Sequence, residues 1–252
     1  MKNRKNLKKL IGLIVVLLLS LMAWLLSTRI TNGQEATPRN YAYLPLILSN
    51  QIVPAETDLI DNPSFEESWE DLDPVDTLIN QRPNGWNFYI YPEGSALPSD
   101  PDSVATGVPE AIHKHSDQLP ANEQIDGSDP LILEGDYVYK VFHFGQPFAT
   151  VLSQTIEAPA YSTYMITVPV RIHSYADPDC YGAEVGFQFG TDEIEWFNHC
   201  VTGDRQWFYY ERGVIMPIEG KTAFNVYFKS KWFSPKDFFI DDIQYDQILP
   251  RP

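Results

Sequence analysis

The chain has 252 residues and a net charge of −16, with 34 acidic residues against 18 basic ones. So acidic a surface excludes the usual basic platform for nucleic acid and repels anionic lipid. Two cysteines are too few for a disulfide-built scaffold, while the length is ample for one all-β core.

In residues 1–33, Lys2, Arg4, Lys5, Lys8 and Lys9 precede an uncharged run over 10–28, the pattern of an export signal. Thr31-Asn32-Gly33 offers small residues for cleavage after Gly33, yet the run is also long enough to span a bilayer. Signal peptide and signal anchor both stay open, and either leaves the rest of the chain outside, secreted or anchored, with membrane contact only through an uncleaved segment. Residues 34–57 read as a linker rich in Pro, Asn and Thr. Its apolar patch at 43–48 would dock as an extra edge strand or meet a partner.

The folded module is expected over 58–246, with a short tail at 247–252. It opens with a short strand and turn at 59–66, and Arg82-Pro83-Asn84-Gly85-Trp86 then turns into a strand over 86–91. Residues 92–130 are dense in Pro, Ser, Asp and Gly and read as a functional loop or disordered insert, with His113 and His115 as a surface pair. Strands follow at 137–144 and 152–156. Over 164–173, Tyr164, Ile166, Val168, Val170 and Ile172 share one face and Arg171 and His173 the other, which is a half-buried strand. Pro169 in that strand implies an edge position or a bulge. Further strands are expected at 207–215, 223–229 and 238–245. No stretch carries a helical period of useful length, and this count of short strands predicts an all-β fold of two packed antiparallel sheets.

Strands at 181–189 and 194–201 form a hairpin about Gly190. Pairing about that residue sets Cys180 opposite Cys200, so a disulfide across the hairpin base is expected. His199 beside Cys200 gives no spaced ligand set for zinc.

The motifs Asn62-Pro63-Ser64-Phe65-Glu66, Pro83-Asn84-Gly85-Trp86, Gly135-Asp136-Tyr137, Ser153-Gln154-Thr155-Ile156, Tyr164-Met165-Ile166-Thr167 and Phe239-Ile240-Asp241-Asp242-Ile243 occur in this order. The chain thereby resembles carbohydrate-binding modules of the family 4/9 type, over about residues 59–246. The resemblance implies a galactose-binding-like jelly-roll β-sandwich, with a structural calcium where the first and last strands meet. At the matching positions stand Glu66 and Asp241, oxygen donors of the kind calcium takes; the alternative is that the Asp pair hydrogen-bonds main chain.

Enzyme signatures are missing: no Gly-x-Ser-x-Gly, no His-Glu-x-x-His and no phosphate-binding glycine loop. Asp192, Glu193 and Glu195 read as solvated turn residues. Sugar binding needs flat aromatic faces with amides, Arg or His beside them, and the outward positions expected to supply these are Arg171, His173, Tyr175, Gln188, Trp196, Tyr227 and Trp232. Trp86 is left to the core. The expectation is an exported, non-catalytic glycan-binding module; the alternative is an adhesive or structural surface module that makes protein contacts without sugar.

Overall fold

The computed structural model describes residues 51–54, 59–72, 78–175 and 180–249. The segment 1–33 and the patch at 43–48 lie outside them. The strands are β1 (Gln51–Pro54), β2 (Trp69–Asp71), β3 (Gln81–Pro83), β4 (Asn87–Ile90), β5 (Ala96–Leu97), β6 (Asp100–Val104), β7 (Glu110–His115) and β8 (Tyr137–His143), followed by β9 (Phe148–Glu157), β10 (Thr163–Ser174), β11 (Ala183–Phe189) and β12 (Glu195–Asn198). A one-turn helix α1 (His199–Thr202) leads to β13 (Trp207–Ile215), β14 (Lys221–Ser230), β15 (Lys236–Ile240) and β16 (Gln244–Leu249).

Two antiparallel sheets form the all-β sandwich that the sequence predicts. The larger has the order β1-β16-β10-β15-β8-β7, with β13 on the free flank of β10; the smaller is β12-β11-β14-β9-β4. Alternation decides which side chains meet between them. Ile166, Val168, Val170 and Ile172 of the larger sheet and Val185, Phe187, Phe224, Val226 and Phe228 of the smaller are buried in one core. Aromatic pairs bridge the layers: Phe187 stacks on Tyr210 at 4.0 Å between ring centres, and Phe228 meets Phe238 at 5.6 Å.

Several sequence expectations are corrected here. The stretch 92–130 is not unstructured: β5 and β6 form a ribbon, and β7 joins the larger sheet beside β8. Its period is masked because His113, a polar type, occupies an inward position paired with Tyr139. The expected strand at 238–245 is two strands, β15 and β16, broken where Asp242 takes a positive φ of 50°. Residues 59–66 form no strand, since Asn62 and Phe65 both adopt positive φ. The strand β1 pairs Gln51 with Leu249 and Pro54 with Asp246, so pairing extends into stretches expected to be linker and tail.

Pro169 marks neither an edge nor a bulge. On one side it pairs with Tyr209 of β13; on the other it stands in the gap between the β16 ladder, which reaches Thr167, and the β15 ladder, which begins at Val170. The break between the two half-length neighbours accommodates a residue without an N–H. The cysteine hairpin turns about 191 rather than 190, since Glu184 faces Asn198 and Phe187 faces Glu195. The expected second strand ends early in α1, whose N-terminal amides from Cys200 and Val201 are capped by Asn198. The Cys180–Cys200 disulfide is nonetheless present, with Cα atoms 5.1 Å apart.

The outer half of the larger sheet is covered rather than open. Leu119, Leu131 and Ile132, from the segment between β7 and β8, pack on Val138, Phe239 and Trp207. Arg171 donates to both carboxylate oxygens of Asp129, at 2.9 and 2.7 Å, and its Nε donates to His173 Nε2 at 3.0 Å. Burial, together with the nearby Arg171 and Arg205, lowers the His173 pKa to about 3. Its unfolded value lies near 6.5, so the native state binds fewer protons between those limits, and stability present above pH 6.5 is lost as the pH falls toward 3.

Two outcomes are expected. Phe238→Ala, which empties the centre of the inter-sheet core, costs about 3–5 kcal/mol in urea unfolding with the slope unchanged. His173→Gln flattens the acid limb of a stability-against-pH curve by about one proton, roughly 1.4 kcal/mol per pH unit between pH 6.5 and 3.

Candidate functional site

The smaller sheet turns a different surface outward. Cross-strand register lines up Tyr89, Val151, Tyr227, Gly186 and Trp196 in one row across all five strands. Beside it runs a polar row of Asn87, Ser153, Asn225 and Gln188. A third row holds Ala149, Lys229, Glu184 and Asn198.

The third row is covered. Leu97 and Ala105, flanking β6, pack on Ala149, and Lys229 Nζ donates to the Pro98 carbonyl at 3.0 Å. Lys229 also pairs with Glu184 at 2.6 Å, while Lys231 pairs with Asp100 at 2.6 Å. Burial lowers the Lys229 pKa, and the Glu184 carboxylate opposes that shift.

The first two rows remain accessible at their β4 end, where Tyr89 is 56% exposed. Their polar groups are wired together. Gln188 Oε1 accepts from the Tyr227 hydroxyl at 2.7 Å and from Asn225 Nδ2 at 3.0 Å, and Gln188 Nε2 donates to the Asp192 carbonyl at 2.8 Å. The carboxamides are thus oriented before any ligand arrives, with the Asn225 carbonyl oxygen still an acceptor to spare. Trp196 lies close over Gly186: a Cβ there would stand 2.9 Å from its ring carbons, so glycine is required for the indole to settle on the sheet. Lys229 Nζ sits 3.8 Å above the same ring. Trp196 therefore forms the floor of the row rather than a free platform, and Tyr227, 8% exposed, is walled in beside it at 5.8 Å.

Of the seven residues expected to bind ligand, three converge on this face: Gln188, Trp196 and Tyr227. Arg171, His173 and Tyr175 belong to the opposite sheet. Alternation correctly turns Arg171 and His173 away from the core, but the covering segment buries both, leaving Arg171 2% exposed. Tyr175 remains partly open, its hydroxyl bonded to Asp237 at 3.2 Å and its ring under Arg205. Trp232 stands apart, in the turn between β14 and β15 beside the exposed Phe233. Asn87 and Tyr89 were missed; the alternation Trp86, Phe88 inward against Asn87, Tyr89 outward was the available signal. His113 is not a surface residue but a buried one, and Trp86 lies in the core as expected. Asp192 and Glu195 are held by Arg212, and Glu195 also accepts from the Tyr210 hydroxyl.

Glu66 and Asp241 do meet on one loop. Glu66 accepts from the main-chain N–H of Asp136 and Tyr137, and Asp241 from those of Leu133, Glu134 and Asp242. Ile243 N–H donates to the Pro63 carbonyl at 2.9 Å. Every carboxylate oxygen of the pair is aimed at a hydrogen-bond donor, whereas calcium wants converging oxygens. Burial also pushes the Asp241 pKa up to about 8, against its three main-chain donors. The two acids fit an amide clamp and not the oxygen cage that the family resemblance implies. Melting curves in excess calcium and in chelator are expected to coincide, while Glu66→Ala, which strips two N–H groups of their acceptor, costs about 1–3 kcal/mol.

No family model matches the sequence, and no curated protein matches it. Solved structures do. A family 61 carbohydrate-binding module in complex with β-1,4-galactotriose matches at TM-score 0.44 and 15% identity, over 75% of this chain and 97% of its own. A family 4 module matches at 0.35 and 12%, over 75% and 99%. The family 22 xylan-binding domain of Paenibacillus barcinonensis Xyn10C matches at 0.34 and 12%, over 75% and 93%. These are carbohydrate-binding modules of several families, so family 4/9 is not singled out. The overlays are loose, and any function of this chain must be carried by its own side chains.

Proposed function

We propose that the chain is an exported, non-catalytic module that binds a glycan on the outer face of its smaller sheet. The observation that carries this is the exposed Tyr89 at the open end of a row floored by Tyr227 and Trp196, running beside the polar row Asn87, Ser153, Asn225 and Gln188. Aromatic rings suit the apolar faces of pyranose rings. Carboxamides and hydroxyls both donate and accept, as sugar hydroxyls do. The charges nearest the open rows are internally paired, Lys229 with Glu184 and Arg212 with Asp192, which favours a neutral ligand over an ion. The Cys180–Cys200 bridge suits a chain that works outside the cell.

A second reading, protein adhesion without sugar, has one observation in its favour. Phe144 and Phe233 are 86% and 72% exposed in the turns after β8 and β14, with Trp232 beside them.

A glycan array probed with the full chain is expected to give a restricted set of hits, with and without chelator. On the best hit, Tyr89→Ala and Gln188→Ala each weaken binding about tenfold, while Phe233→Ala leaves it unaltered. A blank array, or hits lost with Phe233 and kept without Tyr89, would overturn the reading.

A further inference from the structure

Beyond the β4 edge of that face lies a cleft of about 360 Å³, lined by Trp69, Glu70, Arg82, Asn84 and Asn87 among others. Its walls follow from local chemistry. The turn over 83–86 closes with Trp86 N–H donating to the Pro83 carbonyl, and it depends on Gly85, whose φ is +79° and where a Cβ would stand 2.5 Å from the Asp61 Cβ. That turn projects Asn84, whose amide donates to Glu67 at 2.7 Å, and sends Asn87 outward on β4. Across the β2–β3 ribbon, Arg82 is bonded to Glu70.

Trp69 lies at the back of the cleft. One face of its indole stacks on the His113 ring, 4.6 Å between centres and 18° between planes, yet Trp69 is still 37% exposed. His113 is buried, and neither of its ring nitrogens has a partner in the structure. It serves as a neutral backing that fixes the indole plane, Tyr137 packs at a tilt against the same ring at 5.4 Å between centres, and the part of the ring left exposed is what Trp69 can offer the cleft.

We propose that this cleft is an additional sugar subsite, continuous with the sheet face through Asn87, which belongs to both. It takes one terminal or branching residue of a neutral oligosaccharide: the pyranose packs against the exposed part of the Trp69 ring, and its hydroxyls meet Asn84, Asn87 and the Arg82–Glu70 pair. The charges select for a neutral ligand. An anion would face Glu70 and Glu67, a cation would face Arg82, and a hydroxyl can use either partner of the pair. The five strands of the face span about 19 Å at the usual strand spacing, so only an extended chain can fill that face and still reach the cleft. This inference rests on the glycan reading above.

The test is affinity against chain length. The full chain is titrated with cello-, xylo-, manno- and β-1,4-galacto-oligosaccharides of two to six sugars, and the readout is the ratio of longest-chain to shortest-chain affinity in the series that binds. For the unsubstituted chain the ratio is expected to be about tenfold or more. Trp69→Ala and Arg82→Gln each collapse it toward one, with circular dichroism confirming the fold. Should Trp69→Ala unfold, Arg82→Gln decides alone. Binding that keeps its length dependence in the folded variants overturns the subsite and leaves the sheet-face reading standing. No binding by the unsubstituted chain to any series overturns both.

Discussion

The arrangement depends on two acids, Asp241 buried and Glu66 half-buried, that serve main-chain donors. Glu66, from the opening loop, and Asp241, from the break between β15 and β16, take up the N–H groups of Leu133, Glu134, Asp136 and Tyr137. A loop entering a sheet would otherwise leave those donors unpaired at the edge of the core, where each costs more than a typical hydrogen bond returns. Gly135, at φ +68°, is the residue that lets the loop close in: a Cβ there would stand 2.2 Å from the Glu66 carboxyl carbon. The clamp ties the beginning of the module to its end, and the rest of the surface is laid out from it.

From one side of the clamp the chain runs back over the larger sheet. The segment between β7 and β8 spreads Leu119, Leu131 and Ile132 across that sheet and pins itself to Arg171 through Asp129. From the other side come Trp69 and the turn that carries Asn84, at the flank of β4. The larger sheet therefore spends the part of its outer face around Arg171 and Phe239 on covering chain, and the smaller sheet keeps part of its own open. The same division explains the charges. Lys229 and Glu184 of the covered row are paired at 2.6 Å and buried, with Lys231 and Asp100 paired at its margin, while carboxamides and Tyr89 occupy the rows that meet solvent.

Much of this was legible in the sequence, and the failures have a common cause. Alternation gave the inward set of β10 and the bounds of β13, and cysteine placement gave the disulfide, because those depend on neighbours along the strand. Alternation also assigned Arg171 and His173 to the outer side correctly. It could not report that another part of the chain, forty residues away and apparently irregular, would lie on top of them. The three site residues that did converge, Gln188, Trp196 and Tyr227, lie on a face whose cover stops short of them. Pro169 shows the same limit, since its tolerance comes from a gap between two partner strands that no local pattern reveals. The resemblance gave the meeting of Glu66 and Asp241, but not the main-chain donors that they hold, which come from a loop remote in sequence from both.

The most direct measurement is a side-chain NMR titration with whichever oligosaccharide binds, following the amides of Asn87, Asn225 and Gln188 and the ring of Tyr89 against the indole of Trp207 and the ring of Tyr175. The account requires the first group to shift on saturation and the second to stay in place. Shifts confined to Trp207 and Tyr175 would put the ligand on the covered sheet and contradict it.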